Sequence, residues 1–426
     1  MSLFYVPKRR LRSWRPVYGP RLLIVLAAVI VGSLPPPKAA PAAIRGPAAL
    51  PRRHQSVREI WPLTPEPPPQ LAEAEKAESK TPEIIGSAPA ATARADSPQP
   101  PAAPAAGPQR QAKIVAGWLP FWDIKEGMRV IDEFPGAVNE VSPFWYELSD
   151  DGGVVDSPGA ENSAVLAALK SQNTTIIPTI AWAKGAPLSA ILNDAGKRAA
   201  HIRQIMAKVK MSVYDGIDID YENLPEADRD IFSRFVRELA ARVHKRGKNL
   251  VVTVNAKTSE PGEWNGARSH DYAAIGAYAD YVRVMAYDQH YSAGPPGPIA
   301  GIDWVEKVIS FSLTRIPKEK LVLGVPLYGY DWGPGRAKSL VHDEAAAKSL
   351  SRGAPIVWDE GSASSFFKYS DDSGEHTVWF ENSRSLEAKI RLAAKYDLAG
   401  VAIWRLGRED KAFYRKIRSV LDPLNH

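Results

Sequence analysis

Residues 215–222 read Asp-Gly-Ile-Asp-Ile-Asp-Tyr-Glu, four carboxylates in eight positions with isoleucines between them. In an extended chain successive side chains alternate faces. Gly216, Asp218, Asp220 and Glu222 then share one face, and Ile217, Ile219 and Tyr221 the other. The apolar face must pack under helices, so the acidic face lines an enclosed interior. Three carboxylates in one desolvated row cannot all ionise without a large cost, and at least one is expected to hold its proton near neutral pH. Such a carboxyl is a general acid. Two other chemistries fail on detail. A calcium loop needs polar spacers and a turn glycine after its acidic triplet, where this run has isoleucines. A solvated acidic edge strand gives no reason for the Ile/Asp alternation.

Other chemistries find little support. The chain has no cysteine, which excludes a disulfide scaffold, a thiolate metal site and a Cys nucleophile. Its eight histidines are scattered, with no His-x-x-x-His. The His-x-Glu at His342-Asp343-Glu344 lacks the downstream cysteine pair that a zinc deaminase needs. No metal and no cofactor are expected. The 426 residues carry 54 Lys+Arg against 48 Asp+Glu, a net charge of +6. Residues 1–21 hold six of those basic residues and no acid, whereas from Lys113 onward 39 basic residues face 41 acidic ones. The basic charge belongs to the N-terminal segment. Nucleic-acid binding needs it on the folded body, so no nucleic-acid partner is expected.

The elements that must position the acidic row recur along the chain. Short β-branched and aromatic runs lie at 114–120, 137–148, 174–182, 214–223, 249–257, 281–288, 321–329 and 400–407. Most are nearly continuous hydrophobics, the pattern of parallel strands covered on both faces. Helical patterns separate them at 162–171, 194–210, 226–246, 271–279, 302–315, 383–395 and 410–421. Eight alternations predict an α/β fold, a (β/α)8 TIM barrel. An open doubly wound sheet would show a Gly-rich phosphate turn after the first strand, and none is present. The long interval 331–382 is read as a small α+β insertion on the C-terminal face, with a helix at 339–352 and strands at 355–358 and 377–380. The barrel domain is expected over 113–426, with Glu222 at the C-terminal mouth where barrel active sites sit.

Two segments precede it. After the basic n-region, the apolar run 22–34 is thirteen residues long. At about 1.5 Å per residue it falls short of a bilayer core of roughly 30 Å, so residues 1–34 resemble a signal peptide, with a signal anchor as the alternative. Either one contacts the membrane and places the remainder outside the cytoplasm, secreted, periplasmic or anchored. Residues 35–112 are Pro- and Ala-rich and are expected to be a disordered linker.

The run 215–222 resembles the DxxDxDxE signature of glycoside hydrolase family 18, the chitinase-like barrels. Met285-Ala-Tyr-Asp288 is similar to that family's M-x-Y-D motif. Gly324–Trp332 and Val401–Gly407 resemble its branch of bacterial cell-wall and spore-cortex N-acetylglucosaminidases. The resemblance covers about residues 113–421. It implies that Glu222 protonates the leaving glycosidic oxygen and that Asp220 orients the substrate's acetamido group. Asp218 would stand behind Asp220, sharing a proton or hydrogen bond. Tyr287 would bond the acetamido carbonyl as it attacks C1, so the substrate supplies its own nucleophile and the reaction is retaining. Strand geometry alone sets Asp220 about 6.6 Å from Glu222, at roughly 3.3 Å per residue, and leaves a direct Asp220 nucleophile open.

The implied substrate is a β-1,4-linked N-acetylglucosamine glycan: peptidoglycan, another envelope glycan or chitin. Aromatic rings bind the apolar faces of sugars. Trp404, Trp122, Trp145, Trp182, Tyr328 and Trp379 are the candidate platforms, and Asp288 is a further member of the acidic site. A monomer is expected. The rival reading is a noncatalytic chitinase-like carbohydrate-binding protein. Such proteins typically lose the terminal acid, and Glu222 is present here.

Overall fold

The computed structural model describes residues 112–407 and 410–421. The targeting segment expected at 1–34 and the linker expected at 35–112, up to residue 111, lie outside the described residues. Within them, no helix is long and apolar enough to cross a membrane.

The chain begins with β1 (Ile114–Pro120) and β2 (Glu140–Leu148), followed by the short β3 (Val154–Asp156) and β4 (Thr175–Ile176). Next come β5 (Thr179–Trp182), β6 (Gly216–Tyr221), β7 (Asn249–Asn255), β8 (Tyr281–Met285) and β9 (Leu321–Pro326). An insertion supplies β10 (Tyr328–Trp332), β11 (Lys338–Val341), β12 (Val357–Asp359), β13 (Ser364–Asp371) and β14 (Gly374–Phe380), before β15 (Gly400–Trp404) returns to the barrel. Strands β1, β2, β5, β6, β7, β8, β9 and β15 pair in parallel, and β15 closes back onto β1. The result is the expected eight-stranded (β/α)8 barrel.

Valine- and isoleucine-rich strands suit this position because both of their faces are covered. Ile217, Ile219 and Tyr221 of β6 join the core between strands and helices. A second core fills the barrel itself, with Ala116, Trp118, Phe144, Ala181, Val322, Ala402 and Trp404. Side-chain oxygens cap several helices: Asn162 before Ser163–Ser171, Asp194 before Ala195–Val209, Asp271 before Tyr272–Tyr278 and Asn382 before Ser383–Lys395.

Several boundaries differ from the sequence expectation. The run 174–182 splits into β4 and β5 around Pro178, whose missing N–H interrupts the ladder. Three helices were not anticipated, Ile124–Glu133, Gly185–Asn193 and the short Asn265–Arg268. The first carries Gly127, where an added Cβ would sit 2.3 Å from Leu119 Cδ1, so the glycine lets this helix lie directly on β1. In the last expected helix only Ile417–Leu421 is helical.

The seventh run also ends differently. Its barrel part stops at Pro326, and Tyr328–Trp332 crosses into a separate antiparallel sheet of order β11-β10-β14-β13-β12. Helix His342–Arg352 accompanies one face of that sheet, over Leu340, Phe367, Val378 and Phe380. From the other face Tyr328, Tyr330, Trp332 and Trp379 join the aromatic cluster of the barrel mouth. Lys389 and Glu381 form a fully buried ion pair, 2.8 Å apart, where the insertion returns to helix Ser383–Lys395.

Candidate active site

The acidic row runs up the inside of β6. Asp218 is fully buried, and its two oxygens accept hydrogen bonds from side chains on four strands. Oδ2 accepts from Thr179 Oγ1 at 2.8 Å, Arg283 NH1 at 3.0 Å and Trp118 Nε1 at 3.2 Å, while Oδ1 accepts from Thr253 Oγ1 at 2.9 Å. Asp220, one inward step higher, is 3% exposed, and its Oδ1 is buried with no hydrogen-bond partner. Burial pushes this carboxyl well above the usual range, reinforced by the charges of Glu222 and Asp218 and opposed by Arg283.

Glu222 follows immediately after β6. Its N–H still bonds Trp182 O at 2.8 Å, so the ladder holds its backbone. Asn223, at φ +58°, then turns the chain away. Desolvation pushes the Glu222 carboxyl up to about 8, and the charge of Asp288 adds to the rise. His270 fixes the backbone behind it. His270 Nδ1 accepts from Asn255 N–H at 3.1 Å, so Nε2 must carry the proton donated to Tyr221 O at 3.0 Å. Burial holds this imidazole neutral, with its pKa lowered to about 3. It ties the C-terminal ends of β6 and β7 together. In the register that sets Asp220 beside Thr253, Asn255 stands level with Glu222, and its buried Nδ2 has no partner.

Tyr287 and Asp288 leave the end of β8 through two tight backbone bonds, Ala286 N to Val284 O and Tyr287 N to Met285 O. Asp288 takes the left-handed conformation at φ +58°, and its Oδ1 accepts from Tyr328 OH at 2.5 Å and Tyr330 OH at 3.1 Å. Desolvation pushes Asp288 up to about 7 against those two hydroxyls. Burial and the charges of Asp220, Glu222, Asp288 and Asp218 hold the Tyr287 phenol well above its ordinary range. It therefore stays a neutral donor among the carboxylates.

The aromatic candidates divide into two groups. Trp404, 5% exposed, packs edge-on to Trp118 at 5.8 Å and to Phe144 at 5.4 Å in the floor of the mouth. Trp122 meets Phe144 at 6.0 Å, Tyr328 meets Tyr287 at 6.2 Å, and Trp379 stacks on Phe366 at 4.6 Å on the insertion sheet. Trp145 and Trp182 are corrections. Both belong to the helix-facing core, Trp145 at 0% exposure and Trp182 at 3%. Alternation from Phe144, which faces the barrel interior, turns Trp145 toward the helices, and a β-bulge that pairs Phe144 with Thr179 and Tyr146 with Ile180 turns Tyr146 the same way. Trp182 alternates with Ala181, which faces the barrel interior, and donates Nε1 to Lys184 O at 2.7 Å.

Sequence reasoning missed Arg283, Thr179, Thr253 and Trp118, the residues that hold Asp218. No local pattern marks them, because each arrives from a different strand. The hydrogen bonds of Asp218 in this structure come from Trp118, Thr179, Thr253 and Arg283, three on Oδ2 and one on Oδ1, and none runs to Asp220. Among the described residues, no group of three or more His, Asp or Glu side chains could hold a metal ion.

The site can donate one proton at the mouth of a dry barrel, above a buried acceptor and beside a neutral phenol. Its pH response follows from Glu222. As an acid it must be protonated, so kcat/KM is expected to fall as pH rises through about 8. Glu222 interacts with Asp220 and Asp288, so the measured inflection belongs to that group and not to one carboxyl. A profile from pH 4 to 10 on a chromogenic N-acetylglucosamine oligomer checks this, and a basic limb starting below pH 6 contradicts it.

A closed parallel barrel that presents a proton-holding carboxyl above a buried acidic row is the arrangement of a barrel glycosidase. The chain belongs to the glycosyl hydrolases family 18, whose family model matches residues 138–409. It is similar to the cortical fragment-lytic enzyme of Bacillus subtilis (strain 168), at 30% identity over 300 residues, 66% of this chain and 69% of that one. Among solved structures it is similar to a chitinase from Chromobacterium violaceum ATCC 12472, with 28% identity and a TM-score of 0.68 over 73% of this chain and 99% of that one. It is also similar to the Bacillus cereus spore cortex-lytic enzyme SleL, with 25% identity and a TM-score of 0.65 over 72% and 74%.

Proposed function

We propose that this protein is a retaining glycosidase that cleaves β-1,4-linked N-acetylglucosamine glycans, using the substrate's own 2-acetamido group as nucleophile. The observation that carries this reading is the free, buried Oδ1 of Asp220 directly below Glu222. A buried acceptor without a partner is costly unless a ligand completes it. An acetamido N–H supplies the missing donor. Bound there, the acetamido group turns its carbonyl oxygen toward C1, and the Tyr287 hydroxyl donates to that oxygen.

The balance is then complete. Glu222 gives its proton to the glycosidic oxygen, the C1–O bond breaks, and the acetamido oxygen closes on C1 to form a cyclic intermediate. Water, deprotonated by the Glu222 carboxylate, reopens it from the face the leaving group vacated. Two inversions give retention. Proton NMR within the first turnovers of an N-acetylglucosamine oligomer is expected to show the β-anomer forming first. Initial α-anomer would refute the mechanism.

For the natural substrate we favour peptidoglycan or another envelope glycan over chitin. The names of the cortical fragment-lytic and spore cortex-lytic relatives support this, as does the basic, apolar N-terminal run that would deliver the protein outside the cytoplasm.

A further inference from the structure

The loop after β7 lies on the C-terminal face of the barrel, beside the segment that follows β6. Arg268 fastens the two together: its Nη1 donates to Glu226 Oε2 at 3.3 Å and its Nε to Gly262 O at 3.0 Å. Arg229 donates to Arg268 O at 3.1 Å and to both oxygens of Glu260. Lys257, with no exposed side-chain area, donates to His270 O at 2.7 Å.

On this braced loop stands Trp264, half-buried. It joins none of the three apolar clusters of the described residues. Its ring lies over Gly266. A Cβ added there would meet Trp264 Cζ3 at 2.2 Å and Cη2 at 2.3 Å, so only glycine leaves the ring its place. The same Cβ would come within 3.0 Å of Asn255 Nδ2, and the indole and this amide therefore meet beside Gly266. Asn255 is 6% exposed, and its Nδ2 has no hydrogen-bond partner. Its backbone is held by His270 Nδ1 at 3.1 Å and by Tyr272 OH at 2.6 Å. A buried donor left unpaired is costly unless a ligand completes it.

The strand order sets this corner against the reacting bond. Asn255 stands level with Glu222 on the neighbouring strand, and Trp264 follows it in the loop beyond. Trp404, in the floor of the mouth, comes from β15, which β9, β8 and β7 separate from β6 around the barrel. A glycan that crosses from Trp404 to Glu222 continues over the β6–β7 rim. We propose that Trp264 and Asn255 form the site for the sugar on the leaving side of the scissile bond: the indole stacks on its apolar face, and Asn255 Nδ2 donates to one of its oxygens. The assignment of sides rests on the glycosidase reading above. A flat ring on a fixed loop binds a sugar face at low entropic cost, and the amide at its edge adds direction.

The test compares two substrates with the same glycone. One is an N-acetylglucosamine oligomer, whose leaving group is a sugar, and the other is the corresponding β-glycosyl fluoride, whose leaving group needs no sugar site. The readout is the ratio of kcat/KM on the oligomer to kcat/KM on the fluoride, for wild type, Trp264→Ala and Asn255→Ala. In Trp264→Ala the ratio is expected to fall about tenfold or more, through loss on the oligomer. In Asn255→Ala it is expected to fall about threefold to tenfold. A structural defect near Glu222 would lower both substrates together and leave the ratio in place.

An unchanged ratio in Trp264→Ala overturns the proposal, whether both rates fall or neither does. An unchanged ratio in Asn255→Ala overturns the part given to its amide. If thermal melting shows that Trp264→Ala does not fold, Trp264→Leu decides by the same ratio, since it keeps an apolar side chain beside Gly266 and removes the flat ring. A wild-type protein inactive on both substrates overturns the glycosidase reading itself, whereas an active wild type with unmoved ratios in the variants overturns only this site.

Discussion

Glu222→Gln is expected to lower kcat on N-acetylglucosamine oligomers roughly 10³- to 10⁴-fold while leaving KM within a few-fold. The substitution preserves size and polarity and removes only the transferable proton. Glu222 stands where the chain leaves β6, held by the Trp182 carbonyl, and desolvation with the Asp288 charge keeps its proton to about pH 8. No neighbour replaces it. Asp220 is buried a step below, and the Tyr287 phenol is held far from ionisation. Residual activity within tenfold of wild type would remove Glu222 from its role.

Stability should move in the other direction. A carboxyl whose folded pKa lies above its unfolded value binds more protons in the folded state across the intervening range. Folding stability therefore falls as pH rises from about 4.5 toward 8, and the loss persists above that window. Glutamine has no proton to lose. Thermal melting at pH 8 is expected to place Glu222→Gln at or above the wild-type midpoint, which separates lost chemistry from lost fold.

Removing the acetyl group from the reacting sugar is expected to lower kcat/KM at least about 10³-fold, since the nucleophile itself disappears. An intramolecular nucleophile held in line contributes effective molarities of about 10⁵ M or more. The amine left behind is protonated near neutral pH and carries no carbonyl oxygen. It would also leave the buried oxygen of Asp220 facing a charged group in place of a neutral amide. Defined oligomers that differ only at that sugar, with products read by mass spectrometry, measure the ratio. Equal rates would return Asp220 to the part of a direct nucleophile, which strand spacing alone leaves open.

The acidic row was readable because alternation is a local, period-two signal and isoleucines cannot face a polar interior. The same logic fails at Tyr146, which a bulge turns to the helix side beside Trp145, and a single sequence carries no mark of a bulge. Arg283 was invisible for a different reason. Its partners Glu140 and Asp218 lie 143 and 65 residues away, and only barrel closure brings them together. Tyr328–Trp332 read as the tail of a barrel strand because its aromatic run continues that of β9, although Leu327 separates two different sheets. Helix Gly185–Asn193 was hidden by a glycine and a proline in its first turn, both of which a helix tolerates there.

With Glu222 as the proposed acid, the two hydroxyls that Tyr328 and Tyr330 aim at Asp288 would make the insertion a tuning element for its proton. They hold Asp288 toward its charged form, and that charge in turn strengthens the grip of Glu222 on its own proton. On that assignment the working pH range would be written partly in a module outside the barrel. A hybrid that kept this barrel but borrowed a foreign insertion without those tyrosines would inherit a weaker acid-side charge and lose activity at lower alkalinity, with every barrel residue unchanged.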